Sequence, residues 1–202
     1  MIMCLRMIPI LFLAVSVLFP NGRTNILGTV PVYDEIVVAG DSYAQCFCNY
    51  ERGKDLNIIE FSQEGTTIAE NYDKLIQAFD SLHKLIFFSI SVNDQLRGTH
   101  PTIFEENFRK VLDKSVETEK IVFVHTYMPY PAGAVRGLEY STEVYDSVIR
   151  KLASEYPNVY YIYMGDCYGD EYITYDGIHY GKNFYDIMYD RLKEKINEAI
   201  NK

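Results

Sequence analysis

Positive charge is scarce in this sequence. Its 202 residues include 19 lysines and arginines against 28 aspartates and glutamates, so the formal net charge at pH 7 is −9. The isoelectric point of the sequence is about 4.9. Nucleic acids and anionic lipid surfaces are bound through an excess of positive charge. The composition therefore argues against either of them as the main partner.

Cysteine is also scarce, with four in the chain: Cys4, Cys46, Cys48 and Cys167. One Cys-x-Cys pair and one distant cysteine lack the paired spacing and the nearby histidine of a zinc site, so we expect no metal. In an oxidising compartment Cys167 could form a disulfide with Cys46 or Cys48. Three free thiols agree equally well with the sequence.

Only one long apolar run is present. It extends from Met7 to Phe19, after Arg6 and before Pro20-Asn21-Gly22. One positive charge, about thirteen apolar residues and a polar turn are typical of a secretory signal. The run is shorter than the roughly 20 residues of a membrane-spanning helix. No Ala-x-Ala cleavage pattern follows, so a retained N-terminal anchor, which would associate the protein with a membrane, is the alternative. We expect residues 1–22 to be a signal peptide or anchor, and the protein to be secreted or extracytoplasmic.

The sequence has no tryptophan, no internal repeat and no linker-like stretch rich in glycine, proline or serine. The absence of a linker favours a single domain, which we place at residues 30–202, and the length suits a substantial core. Tyrosine is abundant, with 18 residues. The tyrosines could stack on sugar rings, or they could reflect a composition that is also rich in isoleucine, asparagine and lysine.

Short apolar runs alternate with segments of helical spacing along this domain. The runs lack strict polar–apolar alternation, which is typical of strands covered on both faces. They are Ile36–Ala39, Leu56–Phe61, Leu85–Ile90, Ile121–Val124 and Val159–Tyr163. The predicted helices between and after them are Ile68–Leu82, Phe104–Val116, Val144–Tyr156 and Phe184–Ile200. This alternation predicts an α/β fold, a three-layer α/β/α sandwich around a five-stranded parallel sheet.

Polar residues follow each of the predicted strands. Ser42 follows the first strand, Gly65 the second, Asn93 the third and His125 the fourth, while Asp176 and His179 follow the fifth. In open parallel sheets, ligands bind outside the carboxyl ends of the strands. We therefore expect these residues to converge on one edge of the sheet.

Three of these residues have the chemistry of a catalytic triad. A serine hydroxyl becomes nucleophilic when a base removes its proton, and the base needs a partner that holds its tautomer. Asp176 lies three residues before His179, so its carboxylate can reach one imidazole nitrogen and leave the other for Ser42. The pattern predicts a serine hydrolase.

Four short motifs occur in order along the chain: Gly40-Asp41-Ser42, Gly65, Ser91-Val92-Asn93-Asp94 and Asp176-Gly177-Ile178-His179. On these motifs the chain resembles the SGNH hydrolases, also called GDSL-type esterases, from about Ile36 to the last helix. Two positions depart from the family pattern. Tyr43 stands where leucine is common, and Ser91 replaces the glycine of the third motif.

The resemblance implies a flavodoxin-like SGNH hydrolase fold for the domain and a role for each motif. Ser42 would be the nucleophile, His179 the base and Asp176 its orienting partner. The backbone N–H groups of Ser42 and Gly65 and the side-chain amide of Asn93 would form the oxyanion hole. No cofactor is implied.

Three further residues are candidates for the substrate cleft: Tyr43, His125 and Tyr127. For His125 a structural role fits the sequence equally well, and Asp41 could either cap a helix or take part in catalysis. The segment Gly40–Ala44 nearly matches the Gly-x-Ser-x-Gly elbow of α/β-hydrolases. Alanine replaces the second glycine, however, and the serine follows the first recognisable strand, so we do not expect that fold.

The sequence thus predicts a secreted serine esterase that removes small acyl groups, acetyl in particular, from a carbohydrate or cell-wall glycan. One alternative is an O-acyltransferase that uses the same serine and histidine to acylate a glycan hydroxyl, with a membrane acyltransferase as donor. Another is a non-catalytic glycan-binding protein on the same fold. An intact triad argues against the last, and no protein partner follows from the hydrolase itself.

Overall fold

A computed structural model describes residues 17–18, 24–25, 35–52, 54–125, 137–167, 172 and 176–202. The chain divides into two compact units, Met1–Val32 and Tyr33–Lys202. In the first unit the described residues form two short antiparallel strands, β1 (Val17–Leu18) and β2 (Thr24–Asn25). Most of the predicted signal peptide or anchor at 1–22 lies outside the described residues, and that assignment stays a prediction.

The second unit contains the remaining strands and helices. In chain order they are β3 (Glu35–Gly40), α1 (Ser42–Glu51), β4 (Asn57–Ser62), α2 (Tyr72–Asp80), β5 (Leu85–Ser89), α3 (Val92–Leu96), α4 (Pro101–Glu117), β6 (Ile121–His125), α5 (Thr142–Glu155), β7 (Val159–Ile162) and α6 (Lys182–Ile200). The strands form one parallel sheet in the order β4-β3-β5-β6-β7. The predicted α/β fold with a five-stranded parallel sheet is confirmed.

Helices cover both faces of this sheet, and neighbouring residues of β5 show how. Successive side chains of a strand point to opposite faces. Phe87 contacts Phe47 of α1 with ring centroids 5.1 Å apart. Phe88 contacts Phe79 of α2 at 5.7 Å and Phe108 of α4 at 6.3 Å. Because α1 packs with α6, and α4 packs with both α2 and α5, the unit has three layers.

The central strands consist of apolar residues because both of their faces are covered. Every side chain of β5 is buried, and so is every residue of β3 after Glu35. Burial of a large apolar side chain contributes about 1.5–3 kcal/mol to folding. The continuous apolar runs that predicted these strands are therefore also the main source of the stability of the sheet.

The second predicted helix begins later than its apolar pattern suggested. Helix α2 starts at Tyr72, whereas the pattern placed the start at Ile68. Ile68 is fully buried, but its N–H donates to the Asp94 carboxylate (2.9 Å) in a turn before the helix. A buried isoleucine contributes equally to a helical pattern and to a buried turn, so the sequence could not separate the two.

Gly40 allows β3 and β5 to approach each other closely at their carboxyl ends. Its φ is +151°, and a Cβ at this position would lie 1.9 Å from the carbonyl oxygen of Ser89. The next N–H along the chain, that of Asp41, donates to the same oxygen (3.2 Å). The next two strands along the chain, β4 and β5, lie on opposite sides of β3. The end of β3 is therefore the topological switch point, where ligands bind in such sheets.

Neither a disulfide nor a membrane-spanning helix occurs in the described part of the chain. Cys46, Cys48 and Cys167 are free thiols. Among the described residues, no helix combines the length and the apolar character required to cross a membrane. Of the two cysteine arrangements that the sequence allowed, the structure has three thiols.

Candidate active site

Ser42 is the first residue of α1, directly after the end of β3. Asp41 caps the helix, and its Oδ1 accepts the N–H of Tyr43 (3.0 Å). An aspartate at this position satisfies an N–H group that has no partner within the helix. The serine is mostly buried, with 7% of its surface exposed. The local sequence therefore holds the hydroxyl at the edge of the sheet that binds ligands.

The structure brings Ser42 together with the distant Asp-x-x-His motif. The Oγ of Ser42 lies 2.9 Å from Nε2 of His179, across 137 residues of sequence. The Nδ1 of the same ring lies 2.6 Å from Oδ2 of Asp176. A carboxylate can only accept, so Nδ1 carries the hydrogen and Nε2 is free to accept the serine proton. This is the geometry of an activated nucleophile.

The segment that carries the base is shaped by its own aspartate. Oδ1 of Asp176 accepts the N–H groups of Ile178 (3.0 Å) and His179 (2.9 Å), while Oδ2 faces the ring. One carboxylate therefore fixes both the turn and the imidazole. Tyr180 then stacks on Phe184 of α6, with ring centroids 4.2 Å apart. The base is thus connected to the last helix.

Asn93 lies in α3, the helix that follows β5. Its Nδ2 is buried and has no hydrogen-bond partner. A buried amide without a partner is costly, and a catalytic or binding role is one of the physical reasons for which a native protein keeps such a group. Nδ2 is therefore a donor available to an oxygen of a bound molecule. The oxyanion role of Asn93 stays a prediction.

Gly65 lies in the turn after β4. Its φ is +72°, and no atom lies within 4 Å of the position that a Cβ would take. Its backbone conformation favours glycine, and the space beside it is open. The carbonyl of Gly65 accepts from Arg97 (2.5 Å), which also forms an ion pair with Glu70 (2.5 Å). Its assignment to the oxyanion hole stays a prediction, as does that of the Ser42 N–H.

Asp41 connects the start of α1, which carries Ser42, to α3. It is fully buried, and besides Tyr43 its carboxylate accepts the N–H groups of Ser91 (3.0 Å) and Val92 (3.2 Å). Burial raises its pKa to about 7, although the N–H donors favour the charged form. Of the two roles left open by the sequence, the structure shows the cap, together with a cross-link that the sequence did not reveal.

A second buried carboxylate connects α3 to the Gly65 turn. Oδ2 of Asp94 accepts the N–H of Ile68 (2.9 Å). Burial raises the pKa of Asp94 to about 6. Arg97, on the exposed side of the same turn, donates to Glu70 and to the Gly65 carbonyl. No sequence pattern indicates these contacts, because their partners are 26 to 32 residues apart.

The three cleft candidates differ in their surroundings. Tyr43 is 4% exposed, and its hydroxyl donates to the Ile178 carbonyl (2.7 Å). His125 is 5% exposed and shares a hydrogen bond with Ser89 (2.9 Å), which is the environment of a structural histidine. Tyr127 lies outside the described residues. Within the described part of the chain, no group of three or more metal-binding side chains is suitably clustered.

Comparisons with known proteins show what the fold is similar to. No protein-family model matches the sequence, and no curated protein matches it. A solved GDSL-like lipase from Bacteroides thetaiotaomicron is similar at a TM-score of 0.70 and 16% identity, covering 85% of this chain and 91% of that chain. A lipase/acylhydrolase from Enterococcus faecalis gives 0.65 and 16%, with coverages of 80% and 94%. An acetyl xylan esterase gives 0.65 and 16%, with 80% and 98%. The chain therefore has the predicted SGNH hydrolase fold.

Ser91 holds a backbone conformation that favours glycine. Its φ is +108°, it is fully buried, and its hydroxyl contacts the Ile90 carbonyl. A side chain in this region is strained by roughly 1–3 kcal/mol. Its N–H nevertheless donates to Asp41, so the strained backbone is held by a contact that does not depend on the side chain.

We expect Ser91→Gly to stabilise the protein by about 1 kcal/mol, since relief of strain exceeds the entropy that glycine adds to the unfolded chain. Denaturant unfolding measures the change. Glu119→Gly is the matched control, since Glu119 also has a positive φ, of +53°. This value lies in the more readily tolerated left-handed helical region, so the control should gain less stability than Ser91→Gly. A loss of stability in Ser91→Gly would contradict the strain.

Proposed function

We propose that this protein, which has the SGNH hydrolase fold, is a serine esterase. One observation carries the proposal: the hydrogen-bonded series from Ser42 Oγ through His179 to Asp176, at the ligand-binding edge of a parallel sheet. These three residue types in this geometry activate a hydroxyl for acyl transfer. The esterases and lipases among the solved structures with this fold support the same reaction.

The reaction begins with attack of Ser42 Oγ on the ester carbonyl carbon, while its proton moves to Nε2 of His179. The tetrahedral intermediate then expels the alcohol, which takes that proton from Nε2. This leaves the acyl group on Ser42. Water repeats the sequence: Nε2 removes its proton, the acid leaves, and the proton returns to Ser42. Asp176 holds the tautomer and stabilises the imidazolium in both halves.

Charge that develops on the carbonyl oxygen needs donors that are already in position. The unpartnered Nδ2 of Asn93 and the N–H groups of Ser42 and Gly65 are proposed to supply them. One such donor accounts for about 3 kcal/mol of transition-state stabilisation. The buried carboxylates of Asp41 and Asp94 keep the supporting backbone in place, so little reorganisation accompanies the reaction.

The proposed substrate is a short acyl ester, acetyl in particular, on a carbohydrate or cell-wall glycan outside the cytoplasm. The acetyl xylan esterase with the same fold supports the acetyl group and the sugar. The apolar run before Pro20 supports export. Transfer of the acyl group to a sugar hydroxyl would use the same serine and histidine, with the hydroxyl in place of water.

We expect Ser42→Ala to abolish hydrolysis of p-nitrophenyl acetate, because Ser42 Oγ is the hydroxyl within hydrogen-bond distance of Nε2 of His179. His179→Ala should be nearly as damaging, whereas Asp176→Asn should retain a rate about 10⁴-fold below the wild type. A fluorophosphonate probe should label the wild type at residue 42.

The control for these variants is Ser147→Ala, which alters an exposed serine of α5 and should leave the rate unchanged. Retained activity or labelling in Ser42→Ala would end the nucleophile assignment. A wild-type protein that hydrolyses no ester and takes up no probe would end the proposed function itself.

Asn93→Ala should lower kcat for the same ester by about 10²–10³-fold with little change in KM, since the donor acts mainly on the oxyanion. Asn57→Ala is the control. Asn57 is the first residue of β4, at the amino edge of the sheet and away from the site, where its side chain donates to Glu35. An unchanged kcat in Asn93→Ala would remove this residue from the oxyanion hole.

Among p-nitrophenyl esters, kcat/KM should fall by more than about tenfold from acetate to octanoate if the site is built for short acyl groups. Acetate release from an acetylated glycan tests the alcohol component. A preference for octanoate would contradict the acyl assignment. Acylation of an added sugar acceptor in place of acetate release would identify the enzyme as a transferase.

A further inference from the structure

Tyr43 lies next to the nucleophile in sequence and next to the base in space. As the second residue of α1 it follows Ser42 directly, and its N–H is held by the Asp41 carboxylate (3.0 Å). Its side chain reaches the segment that carries His179, 135 residues further along the chain. The start of α1 therefore determines the position of both the hydroxyl and this phenol.

The phenol contacts three consecutive residues of the base segment. Its hydroxyl donates to the carbonyl of Ile178 (2.7 Å), and its ring meets the His179 ring edge-on, with centroids 5.8 Å apart at 69°. It meets the Tyr180 ring in the same way, at 5.8 Å and 66°. With 4% of its surface exposed, Tyr43 offers little area to a substrate. Its contacts are with the base segment itself.

The base segment is irregular, so its position relative to α1 depends on contacts such as those of Tyr43. Asp176 to His179 belong to no helix or strand, and the Asp176 carboxylate accepts the N–H groups of Ile178 and His179 within the segment. Proton transfer depends on the distance and angle between Ser42 Oγ and Nε2, and a misplacement of about 1 Å can lower a rate by about 10²-fold. Whatever fixes the segment relative to α1 therefore acts on catalysis.

We propose that Tyr43 is a positioning residue that fixes the His179 segment against the start of the nucleophile helix through its hydroxyl bond to Ile178. The inference rests on the proposed esterase function and goes beyond it by assigning a role to a side chain that does not react. A leucine at this position could pack against the imidazole but could not bond to the carbonyl.

Tyr43→Phe isolates the hydroxyl, since it keeps both ring contacts. We expect kcat for p-nitrophenyl acetate to fall about 10-fold while KM stays within about twofold, because the change affects proton transfer and leaves substrate contacts intact. The rate of fluorophosphonate labelling at Ser42 should fall in parallel, since it also requires a correctly placed base. Tyr43→Leu, which also removes the ring, should lose more.

Tyr156→Phe is the matched control. Tyr156 is also buried, and its hydroxyl donates to Asp113 (2.5 Å), where α5 ends at the amino edge of the sheet, away from the site. Both variants lose one hydroxyl bond, so their unfolding midpoints should fall comparably, but only Tyr43→Phe should lose kcat.

Three results would overturn the proposal: an unchanged kcat in folded Tyr43→Phe, an equal loss of kcat in Tyr156→Phe, or a rise in KM at constant kcat. The last would make Tyr43 a substrate contact. An inactive and unlabelled wild type is a different result, because it removes the esterase function and with it any role for Tyr43 in catalysis.

Discussion

The close approach of two backbones at the end of the central strands is the constraint on which the site depends. A Cβ on residue 40 would overlap the carbonyl oxygen of Ser89, so glycine alone permits the contact. The approach brings Asp41 within reach of the N–H groups of Ser91 and Val92. The start of α1 and the start of α3 are thereby fixed to each other by contacts that involve neither His179 nor Asp176.

The two buried carboxylates that hold this arrangement are electrostatically unfavourable. Burial raises the pKa of Asp41 to about 7 and that of Asp94 to about 6, and the nearby charge of Asp94 contributes to the rise in the pKa of Asp41. Because both folded-state values lie above the unfolded ones, these groups favour folding most at pH values below about 4. Their contribution is lost as pH rises through 6 and 7. At neutral pH the site therefore retains buried charge at a cost in stability, as is common where function requires it.

The sequence was sufficient for the sheet and for the meeting of Ser42, His179 and Asp176, but not for the contacts that support them. Buried parallel strands are continuous apolar runs, and Ser42, Asp176 and His179 follow strands whose ends must meet, so both could be predicted. The positive φ of Ser91, the ion pair of Arg97 and the bond from Tyr43 to Ile178 could not. Each depends on which groups from distant parts of the sequence lie nearby, and no local pattern encodes that.

The two halves of the site are built differently, and the difference matches their chemistry. Around Ser42 and Asn93, buried carboxylates bind backbone N–H groups, which gives a rigid framework. A rigid framework suits an oxyanion hole, whose donors must already be aimed when charge develops. In the proposed reaction the imidazole accepts a proton and returns it, and it lies in an irregular segment held by the Asp176 carboxylate and by side-chain contacts. In that second half the Tyr43 hydroxyl connects the segment to the start of α1 through its bond to the Ile178 carbonyl, so we expect the alignment of His179 to depend on it.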